Sequence, residues 1–334
     1  MIKVGINGLG RIGRSVIRAK YEGNFPDIQI IAANGPAQIE DHAHLLRYDS
    51  IHGRFGKNIL IQDNNLIIEG DKIQITHERD PSLINWNELG VDIVLECSGK
   101  FNSRAEAAKH LSGGAKKIIV SAPCDNADKT IVYGVNNSEL TNQDLVISIG
   151  SCTTNALAPI AKILNDSVGI AQGFMTTIHS YTNDQNIMDG SHKDIRRARS
   201  AAISMVPTST GAAKAIGLVL PELNGKLSGS AIRVPTPNVS LIDFCFNSID
   251  ATSKEEINKI IEEAASNEFK NIIGFAKDKL VSIDFNHTSQ SSIFDPFETN
   301  VTSDRFCRIV SWYDNEWGFA NRMLDMVNLV AKGL

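Results

Sequence analysis

The chain has 334 residues, a hydrophobic fraction of 42% and a formal net charge of −5. That describes an ordinary globular protein, long enough for two hydrophobic cores. The charge draws the chain neither to nucleic acid nor to an anionic membrane, so no such partner is expected, and an anionic substrate would have to be held by local arginines and backbone N–H groups. The five cysteines (Cys97, Cys124, Cys152, Cys245 and Cys307) lack CxxC or Cys/His spacing. No metal site or disulfide framework is expected, and a reducing compartment is. Met1 leads straight into a strand-like run and no apolar stretch is long enough to span a bilayer, so the expectation is a soluble, cytoplasmic protein.

In chain order, Lys3–Asn7, Ile28–Ala32, Asp92–Glu96, Lys117–Val120 and Val146–Ile149 read as β-branched strands. Helical patterns lie at Arg11–Lys20 and Arg104–His110, and strand–helix alternation of this kind indicates a parallel sheet covered on both faces. Beyond Cys152 the texture changes to longer strands, Gln172–Ser180, Gly229–Asn247 and Phe306–Asp314, so a boundary is expected near Ser151. Thr252-Ser253-Lys254-Glu255 reads as a capping box, ahead of a helix with Ile257, Ile260, Ile261, Ala264 and Ala265 on its apolar face. The chain ends in a second amphipathic helix, with Ala320, Met323, Leu324, Val327, Val330 and Ala331 on one stripe.

Between the first strand and the first helix lies Gly8-Leu9-Gly10-Arg11-Ile12-Gly13, with Gly-x-Gly-x-x-Gly spacing. Those glycines permit a tight turn, close approach of backbone to a pyrophosphate, and close helix–strand packing. The expected class is therefore α/β, a Rossmann-type doubly wound parallel sheet domain plus an α+β catalytic domain with a mixed or antiparallel sheet. An NAD site usually has an acid at the end of the second strand for the ribose 2′-OH. Here that strand ends in Asn34-Gly35-Pro36-Ala37, and no carboxylate follows until Glu40. Nothing at Gly35 repels a 2′-phosphate, so NADP tolerance is favoured, with Asn34 or a later acid as the alternative ligand for NAD.

Ser151-Cys152-Thr153-Thr154-Asn155 lies where the fifth strand ends and a helical pattern begins. Free N–H groups and the helix dipole there stabilise a thiolate, so a lowered pKa is expected for Cys152. Pro159 suits a first helical turn better than an interior, so the helix is expected to kink or begin later. His179, at the polar end of the next strong strand, is the candidate base. Arg196-Arg197-Ala198-Arg199, Thr208-Ser209-Thr210-Gly211 ahead of a helix from Ala212 to Leu220, and Arg233 make up an anion-binding set better suited to phosphate than to nucleic acid.

These residues together resemble the phosphorylating glyceraldehyde-3-phosphate dehydrogenase family (type I) over essentially the whole chain. The matching blocks are Ile6–Arg14, Ser151–Asn155, His179–Asp184, Pro207–Lys214, Arg233–Ser240 and Ser311–Glu316. The resemblance implies that Cys152 attacks the aldehyde of glyceraldehyde 3-phosphate, that His179 serves it as base, and that inorganic phosphate cleaves the resulting thioester. It implies that Ser151, Thr153, Thr210, Gly211 and Arg197 handle the attacking phosphate, and that Thr182, Arg197 and Arg233 hold the substrate's own. Arg11, Ile12, Arg79, Ser121 and Asn315 match cofactor contacts of the family. It also implies a homotetramer, and domains at 1–151 (dinucleotide-binding), 152–316 (catalytic) and 317–334 (a helix packing back on the first). Two departures bear on the cofactor: Asn34-Gly35 replaces Asn-Asp, and Gly190-Ser191 replaces Leu-Pro, with Ser191 resembling the NADP-using chloroplast type. NAD or NADP is expected, with NADP or dual use favoured over NAD alone. The rival readings are an erythrose-4-phosphate dehydrogenase and a non-catalytic dinucleotide-binding sensor or interaction protein.

Overall fold

Short runs of Ile and Val, each closed by a glycine or a polar turn, dominate the first half of the chain. The computed structural model, which describes residues 1–334, gathers them into one sheet. Its elements are β1 (Ile2–Asn7), α1 (Arg11–Glu22), β2 (Ile28–Asn34), α2 (Ile39–Arg47), β3 (Tyr48–Asp49), β4 (Gly53–Arg54), β5 (Ile59–Gln62), β6 (Asn65–Ile68), β7 (Asp71–Thr76), α3 (Trp86–Leu89), β8 (Ile93–Glu96), α4 (Arg104–Ala107), α5 (Lys109–Ser112), β9 (Lys117–Val120), β10 (Lys129–Thr130) and β11 (Val146–Ser148). The strands, apart from the separate β3–β4 pair, form a nine-stranded sheet in the order β10-β11-β9-β8-β1-β2-β7-β6-β5.

Pairing is parallel from β10 through to β7 and antiparallel only where β6 and β5 extend the edge. Strand periodicity missed that extension because it is a pair of tight hairpins, with turns that need positive φ at Asp63, Glu69 and Gly70. On one face of the parallel part, Trp86, Val94, Ile118, Val120 and Val146 are buried together. Each such side chain contributes roughly 1.5–3 kcal/mol by leaving water. The helix expected over Arg104–His110 is two short helices, α4 and α5, that meet at Ala108.

A separate unit, Cys152–Gly318, holds α6 (Cys152–Val168), β12 (Ile170–Ser180), β13 (Val206–Thr208), α7 (Ala212–Val219), β14 (Leu227–Val234), β15 (Ser240–Ser248), α8 (Lys254–Ser266), β16 (Ile273–Phe275), β17 (Ser292–Thr302) and β18 (Phe306–Tyr313). The run read as Gly229–Asn247 is two strands, β14 and β15, divided at Pro235–Val239. The seven strands form a mixed sheet, β13-β14-β12-β15-β18-β17-β16. Along β15, Ile242, Phe244 and Phe246 are buried while Leu241, Asp243, Cys245 and Asn247 are only partly covered. One face therefore carries α6, α7 and α8, and the other is only partly covered, with Phe174 and Phe306 each about half exposed. The last helix, α9 (Trp317–Ala331), runs into the first unit, which comprises Met1–Ser151 and Phe319–Leu334. There it buries Ala320, Met323, Leu324, Val327 and Val330.

Two local expectations differ from what is found. Helix α6 begins at Cys152 itself and carries Pro159 in its interior. A proline in that position forgoes one backbone bond, and burial of nearly the whole helix from Thr153 to Leu164 offsets the loss. The cap of α8 is Ser253, not Thr252, because its hydroxyl accepts from Glu256 N at 3.1 Å while Thr252 Oγ1 donates to the Glu256 carboxylate. Ser253→Ala should therefore lower stability by about 1 kcal/mol. Thr252→Ala should cost less than half as much in the same denaturant titration.

Candidate active site

The loop between β1 and α1 turns on two glycines, Gly8 and Gly13, that admit no side chain. Gly8 has φ of 100, and an added Cβ would lie 2.5 Å from Ser98 N; one on Gly13 would lie 2.0 Å from the Gly8 carbonyl. Gly10, by contrast, is exposed with nothing within 4 Å of such an atom, and it precedes α1 without any side-chain cap. An open backbone surface at a helix N-terminus fits a pyrophosphate. The side chain of Arg11 is already engaged in a two-pronged ion pair with Asp49. Despite burial, hydrogen bonds from Arg11 and the His52 and Ile51 N–H groups hold that carboxyl well below its ordinary range. The guanidinium of Arg11 is thus occupied, and its backbone is what it offers to a cofactor.

Asn34 is saturated. Its Nδ2 donates to Asn7 Oδ1 (2.7 Å) and Glu78 O (2.8 Å), and its Oδ1 accepts from Thr76 Oγ1 (2.9 Å) and Glu78 N (2.8 Å). Two donors and two lone pairs are all that an amide has, so this side chain ties β2 to its neighbours and has nothing left for a ribose. The same network continues below β1. Glu96 accepts from Asn7 Nδ2 (2.6 Å), Ser98 N (2.7 Å) and His110 Nε2 (2.9 Å), while Trp86 Nε1 donates to His110 Nδ1 (3.0 Å). Sequence reading did not find this group, because its members are spread from Asn7 to His110 and none lies in a motif of its own. Arg79 is exposed just after β7, and Ser121 closes β9 with its N–H on the Glu96 carbonyl at 3.0 Å.

In the second unit Cys152 Sγ lies 3.5 Å from His179 Nε2. The first turn of α6 places the thiol and the end of β12 places the ring. His179 Nδ1 is 2.7 Å from Ser180 O and 2.9 Å from an Arg233 nitrogen, and it cannot serve both. A carbonyl can only accept, so we assign the hydrogen to Nδ1, which leaves Nε2 as an acceptor facing the thiol. Arg233 also donates to Ser180 O (2.9 Å) and reaches Thr182 Oγ1 (3.4 Å). Beneath the pair, Tyr313 OH bridges Thr153 Oγ1 (2.9 Å) and Thr177 Oγ1 (2.8 Å), with its ring edge-on to His179. Tyr313 was not singled out in the sequence, although strand alternation with Ser311 points both inward.

Electrostatics here run against the expectation of a lowered thiol pKa. Burial pushes the Cys152 thiol up, and the Arg233 charge and hydrogen bonds from Thr153 only partly oppose it. Burial and then the Arg233 charge push His179 down to about 3. Both partners are thus neutral at physiological pH, a thiol beside an imidazole ready to take its proton. Asn315 is fixed by two hydroxyls, Ser180 and Ser240, each donating to its Oδ1 at 2.9 Å, which leaves its NH2 group as a donor. Ser240 follows Val239, whose φ of 65 strains a β-branched residue.

The anion set is only partly assembled around the thiol. Arg233 and Thr182 join it directly. Arg197 is near enough to act electrostatically on both His179 and Arg233, but its guanidinium is bound to Asp184 and to Thr208 Oγ1 (3.1 Å). Thr210 Oγ1 accepts from Ala212 N at 3.2 Å, and the exposed Gly211 leaves the start of α7 open. Ser151 closes the first unit, immediately before α6. Ser191 is exposed on the loop after Tyr181, with its carbonyl accepting from Asn186 Nδ2.

Comparison with known proteins shows the family of the chain. Residues 2–104 match the NAD binding domain of glyceraldehyde 3-phosphate dehydrogenase, and residues 151–315 match its C-terminal domain. The chain belongs to the glyceraldehyde-3-phosphate dehydrogenase family. It is 56% identical over 331 residues to the glyceraldehyde-3-phosphate dehydrogenase of Xanthobacter flavus, covering 99% of each chain. It is 55% identical over 324 residues to that of Cereibacter sphaeroides, covering 97% of each. With glyceraldehyde-3-phosphate dehydrogenase 1 of Bacillus subtilis (strain 168) it shares 51% over 333 residues, covering 99% of this chain and 98% of that one. In this member of that oxidoreductase family the thiol, the imidazole and Arg233 form one cluster, and Arg197 is paired with Asp184.

The neutral His179 has a consequence for stability. Folded, it stays uncharged down to about 3, whereas an exposed histidine protonates near 6.5. The unfolded chain therefore binds the extra proton first, and stability falls as the pH drops below about 6.5. In His179→Gln the loss of melting temperature between about pH 7.5 and pH 5.5 should be smaller than in the native chain. An equal loss would mean that His179 is already charged in the folded protein.

Proposed function

We propose that the protein catalyses the phosphorylating oxidation of D-glyceraldehyde 3-phosphate to 1,3-bisphosphoglycerate, through a thioester on Cys152. The observation that carries this reading is the 3.5 Å approach of Cys152 Sγ to His179 Nε2, with Arg233 bound to the same strand end. Nε2 takes the thiol proton as sulfur adds to the aldehyde carbon, and the imidazolium then donates to the carbonyl oxygen to give a thiohemiacetal. When bound, the nicotinamide accepts the hydride from that carbon. His179 takes the hydroxyl proton as the hydride departs, and the carbonyl of the thioester re-forms. Inorganic phosphate then attacks the thioester carbon, the sulfur leaves as thiolate, and the acyl phosphate is released.

Arg233 and Thr182 suit the substrate's phosphate, since a guanidinium and a hydroxyl converge beside the thiol. Arg197, Thr210, Gly211, Ser151 and Thr153 are assigned to the attacking phosphate, and Arg197 has to exchange part of its pairing with Asp184 for the anion. Asn315, with its amide direction fixed, is assigned to the nicotinamide carboxamide. Gly8, Gly10, Gly13 and the backbone of Arg11 and Ile12 hold the pyrophosphate, with Arg79 and Ser121 at the flanks. We further assign residues 1–151 to the cofactor and 152–316 to catalysis, with 317–334 completing the first. The partly covered face of the second sheet, with Phe174 and Phe306 half exposed, supports association of copies into a homotetramer. Five free cysteines suit the cytoplasm, and no helix is long and apolar enough to cross a membrane.

The matched domain binds a nicotinamide dinucleotide, and the choice between the two forms rests on Gly35. With no carboxylate there and Asn34 saturated, we propose that the site takes NADP as well as NAD, a choice that the resemblance of Ser191 to the NADP-using type also supports. The ratio of kcat/KM for NADP and NAD should lie within about tenfold of one, or favour NADP. Rejection of NADP would refute the cofactor assignment. Turnover should also require inorganic phosphate or arsenate; oxidation at full rate without either would instead indicate hydrolysis of the acyl-enzyme, as in an erythrose-4-phosphate dehydrogenase.

A further inference from the structure

Gly35 is not simply a missing acid. It is buried, and a Cβ built on it would lie 2.8 Å from His42 Nε2 and 2.9 Å from His42 Cε1, with Leu9 Cβ at 3.5 Å on the other side. His42 is on α2, only 4% exposed, and its Nε2 is buried without a well-formed hydrogen bond. The ring thus fills the volume that a side chain at position 35 would take. Burial holds the ring's pKa below its ordinary value against a backbone contact with Gly35, and His77, Arg14 and Asp41 also act on it.

We infer that His42 is a specificity-determining residue acting jointly with Gly35: its ring keeps a carboxylate from reaching the ribose end of the nucleotide site. The inference rests on the proposal that the dinucleotide's adenosine lies at the end of β2. An aspartate introduced at 35 alone would first meet the imidazole. A buried ring nitrogen with no good partner beside a new carboxylate pairs with it and takes up a proton, so the pair is close to neutral. The acid is then diverted from the ribose 2′-OH and no longer repels a 2′-phosphate effectively. With leucine at 42, the acid has no partner but the ligand. Selection of NAD against NADP therefore needs both changes, on two different elements.

The test is a double-mutant cycle on the full chain, with 5′-ADP and 2′,5′-ADP as probes in calorimetric titrations. Gly35→Asp alone should move the ratio of the two dissociation constants towards 5′-ADP by less than about threefold, and Gly35→Asp with His42→Leu by more than about tenfold. If the single variant already gives the full shift, His42 has no part in specificity and the inference is overturned. If the native chain fails to bind 2′,5′-ADP, the NADP assignment falls, yet the coupling is still read from 5′-ADP alone, which the double variant should bind about tenfold more tightly than the single. Should Gly35→Asp fail to fold, Gly35→Ala adds only the Cβ. It should lower the melting temperature in the native background and not in a His42→Ala background; equal losses in both would overturn the inference.

Discussion

Desolvation of the His179 imidazole is the constraint on which the catalytic cluster depends. The ring sits at the end of β12 with Tyr313 edge-on, Arg233 alongside and the Cys152 thiol at 3.5 Å. In that setting its charged form is disfavoured by burial and by the arginine, and the thiolate is disfavoured by burial alone. The protein therefore holds the two partners as a neutral pair at contact distance. A proton transfer between them makes a thiolate beside an imidazolium, and Arg233 favours the anion. This differs from a preformed thiolate resting on a helix dipole. Arg233 and the hydrogen bonds at the start of α6 favour the thiolate, and His179 Nε2 at 3.5 Å is the group placed to receive its proton.

Around this pair the fold uses saturated polar groups as fixtures. Tyr313 is held by Thr153 from α6 and Thr177 from β12, so the helix and strand that supply the thiol and the base are pinned to one phenol. Asn315 is held by hydroxyls from β12 and β15, with a strained Val239 immediately before one of them. In the first unit Asn34, Asn7, Glu96 and His110 form one buried chain of hydrogen bonds beneath the ends of β2, β1 and β8. Asn34 has all its partners within the protein, so it positions backbone and is unavailable to ligand, whereas Asn315 is oriented through its oxygen and keeps its NH2 group as a donor.

Sequence reading succeeded where chemistry is local. The glycine loop, the strand–helix alternation, the thiol at a helix start and the stripe of α9 all follow from spacing and residue type within a dozen positions. The five strands read in the first half, β1, β2, β8, β9 and β11, lie within two residues of their observed ends, for the same reason. It failed where the determining contact is remote or the pattern is short. The β5–β7 hairpins are too brief for a period to stand out, and the capping residue of α8 is settled by a register shift of one between two adjacent hydroxyl residues. The lowered thiol pKa was inferred from the helix alone, and burial by β12 and β18 was not legible. Likewise Gly35 could be read as an absent carboxylate, but the ring of His42 behind it becomes visible only when α2 folds under the end of β2.

The central claim is that a neutral His179 is what activates Cys152. Its most direct test is the pH dependence of alkylation of Cys152 by iodoacetate in the native chain and in His179→Asn. The account predicts single-site labelling that is about a hundredfold faster in the native chain near neutral pH, with the variant's rate recovering only as the solution becomes alkaline. Superimposable pH profiles would contradict it, and would return the reactivity of the thiol to α6 alone.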